Sequence, residues 1–166
     1  MLEAMNVPTF QHSNFPSRGR LLSVDWGQRR IGLALSDETQ TLAQPLATLT
    51  RRAGKRFPMA QLLEQVTRNH VVGIIVGLPL DAAGAEGDAA HAARALADDI
   101  KRRVGSGGGG GALEVRMWDE RMTTARVLAA VREMGGTTRG RKEDVDAMAA
   151  ALLLQHYLDT QKGTAQ

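Results

Sequence analysis

The chain of 166 residues contains no cysteine. Disulfides and thiolate metal sites are therefore excluded, and any metal must be held by oxygen or imidazole ligands. Aromatic residues are scarce at 4%, so a platform of stacked aromatics is not its main grip on a single strand. Long apolar runs are missing too. The longest, such as Val71 to Leu80, fall far short of the roughly 20 residues a membrane span needs. The first residues lack the charged start, apolar stretch and small-residue cleavage site of a secretory signal, so the expected compartment is the cytoplasm, with no membrane partner. The four histidines, His12, His70, His91 and His156, show no zinc-ligand spacing.

What is present suits a globular chain. Hydrophobic residues make up 43%, enough to fill a core. The length fits one domain. Residues 1–20 read as a flexible N-terminal extension, and 21–160 as a single domain with a Gly-rich loop at 105–111. Lys and Arg number 21 against 18 Asp and Glu, giving a net charge of +3 and a pI near 9.8. This balance weakly favours an anionic partner. Basic residues gather at Arg18, Arg20, Arg29 and Arg30, at Arg51, Arg52, Lys55 and Arg56, at Lys101 to Arg103, and at Arg139, Arg141 and Lys142. Such clusters can follow a phosphate backbone, or they can be solvated loop ends and helix faces.

Two short apolar segments, Leu21 to Asp25 and Ile31 to Leu35, flank a link containing Gly27 and read as a hairpin. A third extended segment covers Gln44 to Thr50, where Pro45 suits an early or edge position. The period then changes. Phe57 to Asn69 carries Met59, Leu62, Leu63 and Val66 at helical spacing. Val71 to Leu78 is β-branched and almost wholly apolar, as expected for a parallel strand buried on both faces. A helix follows over Glu86 to Arg103, then a strand over Leu113 to Trp118. The spacing predicts further helices over Thr123 to Met134 and Glu143 to Leu158. The order β-β-β-α-β-α-β-α-α implies an α/β fold whose mixed sheet joins an antiparallel hairpin to parallel strands and is flanked by helices.

Three carboxylates fall where that topology converges. Asp25 closes the first strand and Glu120 follows the last one. If those strands are parallel neighbours, both acids emerge at the carboxyl edge of the sheet, where open α/β sheets bind ligands. Asp146 lies in the first turns of the final helix, on a stripe with Ala149, Ala150, Leu153 and Tyr157. Two small residues on that stripe let the helix approach the sheet. Three acids meeting there suit Mg²⁺ or Mn²⁺, because such ions take oxygen ligands and keep waters. Two ions can activate a water and stabilise the leaving oxygen of a phosphodiester. Each acid also has a plainer reading: Asp25 as a turn cap, Glu120 as a helix lead-in, Asp146 as a complement to the helix dipole.

The motifs point further. Val24 to Asp37 (Val-Asp-Trp-Gly-Gln-Arg-Arg-Ile-Gly-Leu-Ala-Leu-Ser-Asp) closely resembles the opening motif of the YqgF family. These ribonuclease H-like proteins are described as pre-16S rRNA nucleases or Holliday-junction-resolvase-like nucleases. Gln44-Pro45-Leu46, Ile75 to Leu80 with Gly84, Glu86 and Gly87, Trp118 to Thr124, and Val145 to Ala150 resemble the later motifs, in family order. The resemblance spans about Leu21 to Asp159. It implies a ribonuclease H-like mixed five-stranded sheet, an acidic triad at Asp25, Glu120 and Asp146 that is both catalytic and metal-holding, and a bacterial nuclease maturing the 5′ end of 16S rRNA. Arg29, Arg30 and Arg121 are the candidates for substrate binding, Arg121 because a guanidinium beside Glu120 would meet the scissile phosphate.

Three alternatives remain on the sequence. One is a Holliday-junction-type DNA resolvase or repair nuclease, which would need a homodimer with two sites. Another is a non-catalytic RNA- or ribosome-binding factor, which the basic clusters would serve equally. The third, an ATPase of the actin-like kind, shares an Asp-x-Gly hairpin but needs two such domains.

Overall fold

The computed structural model describes residues 15–52, 54–105, 113–121 and 142–163. The expected helix over Thr123 to Met134, the glycine run 107–111 and the basic residues Arg139 and Arg141 lie outside them. Among the described residues eight elements follow in order: β1 (Arg20–Asp25), β2 (Arg30–Ser36), β3 (Ala43–Thr50), α1 (Met59–Arg68), β4 (Val71–Leu78), α2 (Asp88–Gly105), β5 (Glu114–Asp119) and α3 (Lys142–Gly163). Among the described residues no helix is long and apolar enough to cross a membrane.

The five strands form one sheet in the order β3-β2-β1-β4-β5. β1 and β2 are the antiparallel hairpin, and β3 adds antiparallel to β2. β4 and β5 run parallel to β1. β3 is therefore an edge strand. Pro45 sits on it opposite Ala34, where the register shifts after Leu33. Proline has no N–H to give, so an edge beside an irregularity suits it. β1 and β5 are parallel but not neighbours, because β4 lies between them. The crossover through α1 brings the chain back beside β1, so that β4 takes the place next to it.

Strand alternation divides the core into two layers. Leu22, Val24, Ile31, Leu33, Ile74 and Val76 pack under α1 and α2 with Leu62, Ala93, Leu96 and Ile100. Leu21, Ala34 and Ile75 pack on the opposite face under α3, with Ala150, Leu154, Tyr157 and Leu158. The α3 side of the sheet is lined by small residues: Ser23, Gly32, Ala34, Gly73 and Gly77. They let the helix axis come close. The Ser23 hydroxyl donates to the carbonyl of Ala150 at 2.7 Å, a direct bond between sheet and helix. The stripe Asp146, Ala149, Ala150, Leu153 and Tyr157 is buried throughout, as its spacing predicts. At the far end, Gln155 accepts from the Ala43 amide (2.9 Å) and donates to the Thr41 carbonyl (3.1 Å), fastening α3 to the start of the edge strand.

The turn between β2 and β3 is built on Asp37. Its carboxylate accepts from the amides of Thr41 (2.7 Å) and Leu42 (3.1 Å) and from the Thr39 hydroxyl (2.6 Å). These bonds hold the Asp37 carboxyl below its ordinary value, the Thr39 hydroxyl contributing most.

Candidate active site

Asp25 is the last residue of β1, and its side chain faces α3, as alternation from Leu21 and Ser23 requires. Its Cα partner across the hairpin is Gly32. On the other side Val24 pairs with Val76, so the next β4 residue in register is Gly77. Asp25 thus stands with a glycine on each side in one row of the sheet. A methyl group at Gly32 would collide with the Asp146 carbonyl oxygen and reach 3.1 Å from the Ala147 nitrogen. A methyl group at Gly77 would collide with Glu120 Oε1 and stand 3.0 Å from Leu153 Cδ2. The two glycines vacate the space into which Asp146 and Glu120 are packed. Neighbouring strands are about 4.8 Å apart, so the acids form a row, with Asp146 over β2, Asp25 on β1 and Glu120 over β4.

Glu120 follows β5, and its amide donates to the Leu78 carbonyl (3.3 Å), which carries the pairing one residue past the strand. That bond turns the Glu120 side chain back over Gly77. Asp146 reaches the row because α3 runs antiparallel to β1: its Ala150 meets Ser23 and its Asp146 meets the row of Asp25.

Burial separates these three from the other charges among the described residues. Among the described residues the buried charged side chains are Asp25 (4% exposed), Glu120 (8%) and Asp146 (0%). Burying a carboxylate costs several kcal/mol unless a cation or hydrogen bonds offset it. A cation stands beside one of them. Arg30 Nε lies 2.8 Å from Asp146 Oδ2. The N–H does not point along that line, so the contact is a close ion pair rather than a directed hydrogen bond.

The arginines singled out in the sequence have three different positions. Arg30 faces the acids. Arg29 does not: it is exposed and lines a cleft with Arg51. Arg121 is gripped by its neighbour, with Nε 2.9 Å and Nη2 2.8 Å from Asp119 Oδ2. The Asp119 hydrogen bond, together with the charges of Asp119 and Asp81, raises the Arg121 pKa above its ordinary value. Its guanidinium also packs against Gly84, whose φ of +86° only glycine adopts without strain. Arg121 therefore braces the loop after β4. His156 stays clear of the acids and accepts from Trp118 Nε1 at 3.0 Å.

Sequence reasoning missed the two glycines and the Arg30–Asp146 pair. Gly77 reads as a loop former, and nothing in its spacing marks it as the floor beneath Glu120. Gly32 was within reach, because the hairpin register places it opposite Asp25 once the turn is fixed.

A mixed sheet of this strand order, with acids gathered at the carboxyl end of its central strand, defines a ribonuclease H-like α/β protein. Among solved structures the chain is similar to T. thermophilus RuvC in complex with a Holliday junction substrate, with a TM-score of 0.53 and 17% identity, covering 89% of this chain and 98% of that one. Residues 19–160 match the family model described as "RuvX: Holliday junction resolvase", and the chain belongs to that family. Relatives named "Putative pre-16S rRNA nuclease" include those of Koribacter versatilis (39% identity over 141 residues, 85% of this chain and 87% of the relative) and Corynebacterium diphtheriae (36% over 156 residues, 92% and 91%).

Proposed function

We propose that the chain is a metal-dependent nuclease that trims the 5′ end of pre-16S rRNA, with Asp25, Glu120 and Asp146 as its catalytic, metal-holding residues. Membership of the RuvX family and relatives named as nucleases make it a nucleic-acid hydrolase. The observation that carries the site is the burial of three acids, and of no other charged side chain among the described residues, in one row of the sheet.

The donor set fits a hard divalent cation, since all three groups are carboxylates and no softer ligand stands with them. Among the described residues no three acidic or histidine side chains stand close enough to share one ion. Standing in a row, Asp146, Asp25 and Glu120 would instead hold two Mg²⁺ or Mn²⁺ ions, with Asp25 the acid on which both depend. Ions bound there would activate the attacking water and stabilise the leaving oxygen. The remaining work falls to the chain itself. The glycine floor holds the carboxylates rigidly against the sheet, and α3 closes the row on its apolar side. Arg30, which now pairs with Asp146, would meet a substrate phosphate if a bound cation took over that carboxylate. Arg121 braces the loop after β4 through its pair with Asp119 and is the candidate on that side for a substrate phosphate.

Cleavage of a 5′-extended pre-16S fragment and of a four-way DNA junction, each with Mn²⁺ or with EDTA, tests the reading. Metal-dependent trimming of the RNA, abolished by Asp25→Asn, is the expected result. Symmetric cutting of the junction with the RNA left intact would favour the second reading, a resolvase acting as a homodimer, to which the RuvX description and the RuvC-like fold also point. Binding of RNA with no cutting under any condition would leave only a non-catalytic RNA-binding factor.

A further inference from the structure

On the other side of the sheet edge from the acids lies a cleft of about 470 Å³, lined by Trp26, Gln28, Arg29, Arg51, Asp88, Ala89 and Ala92. Trp26 directly follows Asp25, and strand alternation sends its ring to the opposite face, where it packs partly against the core under α1 and α2. The rest of the ring forms a wall of the cleft. Arg29 and Arg51 are brought together by the backbone, for the Arg51 amide donates to the Arg29 carbonyl at 2.7 Å. Among the described residues neither guanidinium forms an ion pair or a side-chain hydrogen bond. Two like charges on adjoining strand ends repel each other unless an anion comes between them. The first turn of α2, with its amide groups, closes the opposite wall. Asp88 at that helix start is an acceptor that repels phosphate yet can take a hydrogen bond from a sugar hydroxyl, as acids beside ribose do elsewhere.

We propose that this cleft is a ribonucleotide subsite: it holds the nucleotide next to the scissile bond, the base stacked on Trp26, its phosphate between Arg29 and Arg51, and its 2′-hydroxyl bonded to Asp88. This rests on the nuclease reading for the purpose of the cleft, but not for the binding itself. One residue of backbone, about 3.8 Å between Cα atoms, separates Asp25 from Trp26. A single strand crossing the sheet edge can therefore reach the acids and the cleft at once. A base reaches the face of Trp26 only when it is unstacked from its neighbours, so a base held there comes from a single strand rather than a duplex.

The test is binding of a labelled hexaribonucleotide and its deoxy counterpart, followed by fluorescence anisotropy in EDTA so that no cutting occurs. Trp26→Leu is expected to weaken RNA binding about tenfold, and Trp26→Phe, which keeps a stacking face, to retain most of it. Arg29→Ala with Arg51→Ala, both on the surface, should lower the slope of log K against log salt by about 0.7 for each phosphate no longer held. Asp88→Ala should narrow the preference for RNA over DNA about fivefold, as expected when one hydrogen bond is removed. Unchanged affinity in the Trp26 and arginine variants would overturn the subsite, and an unchanged RNA preference in Asp88→Ala would overturn the ribose contact. Either failure leaves the nuclease reading intact if Asp25→Asn still abolishes cutting. Conversely, a wild type that never cuts but loses affinity in these variants would keep the subsite and remove the nuclease.

Discussion

At the scale of single residues, the site depends on atoms that are missing. Gly32 and Gly77 leave the space that Asp146 and Glu120 fill, so replacing either should matter more than its position between apolar neighbours suggests. At Gly77 the obstacle is the end of a side chain, with Leu153 behind it. Gly77→Ala is expected to fold with a loss of about 1 kcal/mol while metal-dependent cleavage falls at least tenfold, because Glu120 is pushed from the row. At Gly32 the obstacle is the backbone of α3, which cannot swing aside. Gly32→Ala should therefore cost about 3 kcal/mol or more, read as a fall in the denaturant midpoint. Arg30 makes the opposite argument, since it is the cation beside a fully buried carboxylate. Arg30→Gln should lower stability in EDTA by about 1–3 kcal/mol, and added Mn²⁺ should restore much of the loss. A variant equally unstable with and without Mn²⁺ would show that Arg30 does not stand in for a metal.

At the scale of elements, the long helix α3 is the part on which the site most depends. It supplies Asp146, roofs the row and is held to the sheet by Ser23 and Gln155. Leu153, fully buried, packs from α3 against Gly77. Leu153→Ala should cost about 2–5 kcal/mol. The turn after β2 gives a pH dependence whose sign follows from Asp37. Its folded carboxyl lies below the unfolded value of 3.8, so the unfolded chain binds the proton first. Its contribution is complete above about pH 5 and is lost as pH falls below the unfolded value and through the folded one. Thermal unfolding followed from pH 6 to pH 2.5 should show this acid limb, shallower in Asp37→Ala.

Most of this architecture was legible in the sequence, for a physical reason. β4 reads at once as a strand because eight consecutive residues, Val71–Leu78, must be buried on both faces. Pro45 marks an edge because it cannot donate. The stripe of α3 follows from a period of 3.6. What spacing cannot give is lateral order. The insertion of β4 between β1 and β5 depends on a crossover, and the contact of Arg30 with Asp146 depends on residues 116 positions apart in the chain. The acids themselves are ambiguous singly, since Asp25 before Gly27 would suit any turn. Only their joint burial distinguishes them.

At the scale of the whole molecule, the sheet presents different chemistry on the two sides of its carboxyl edge. The α3 side holds a buried acidic row, and the side of α1 and α2 holds an open cleft with two arginines and an indole. A polyanion crossing that edge would be gripped by the basic side and cut at the acidic one. The central proposal is that two ions would both depend on Asp25. It is tested most directly by titrating Mn²⁺ into the wild type and into the Asp25→Asn, Glu120→Gln and Asp146→Asn variants, with free Mn²⁺ followed by electron paramagnetic resonance. The account predicts about two ions per chain in the wild type, one in either flanking variant, and almost none in Asp25→Asn. Equal losses in all three variants would contradict the row and point to one ion held by all the acids, and undiminished binding in Asp25→Asn would remove it from the site altogether.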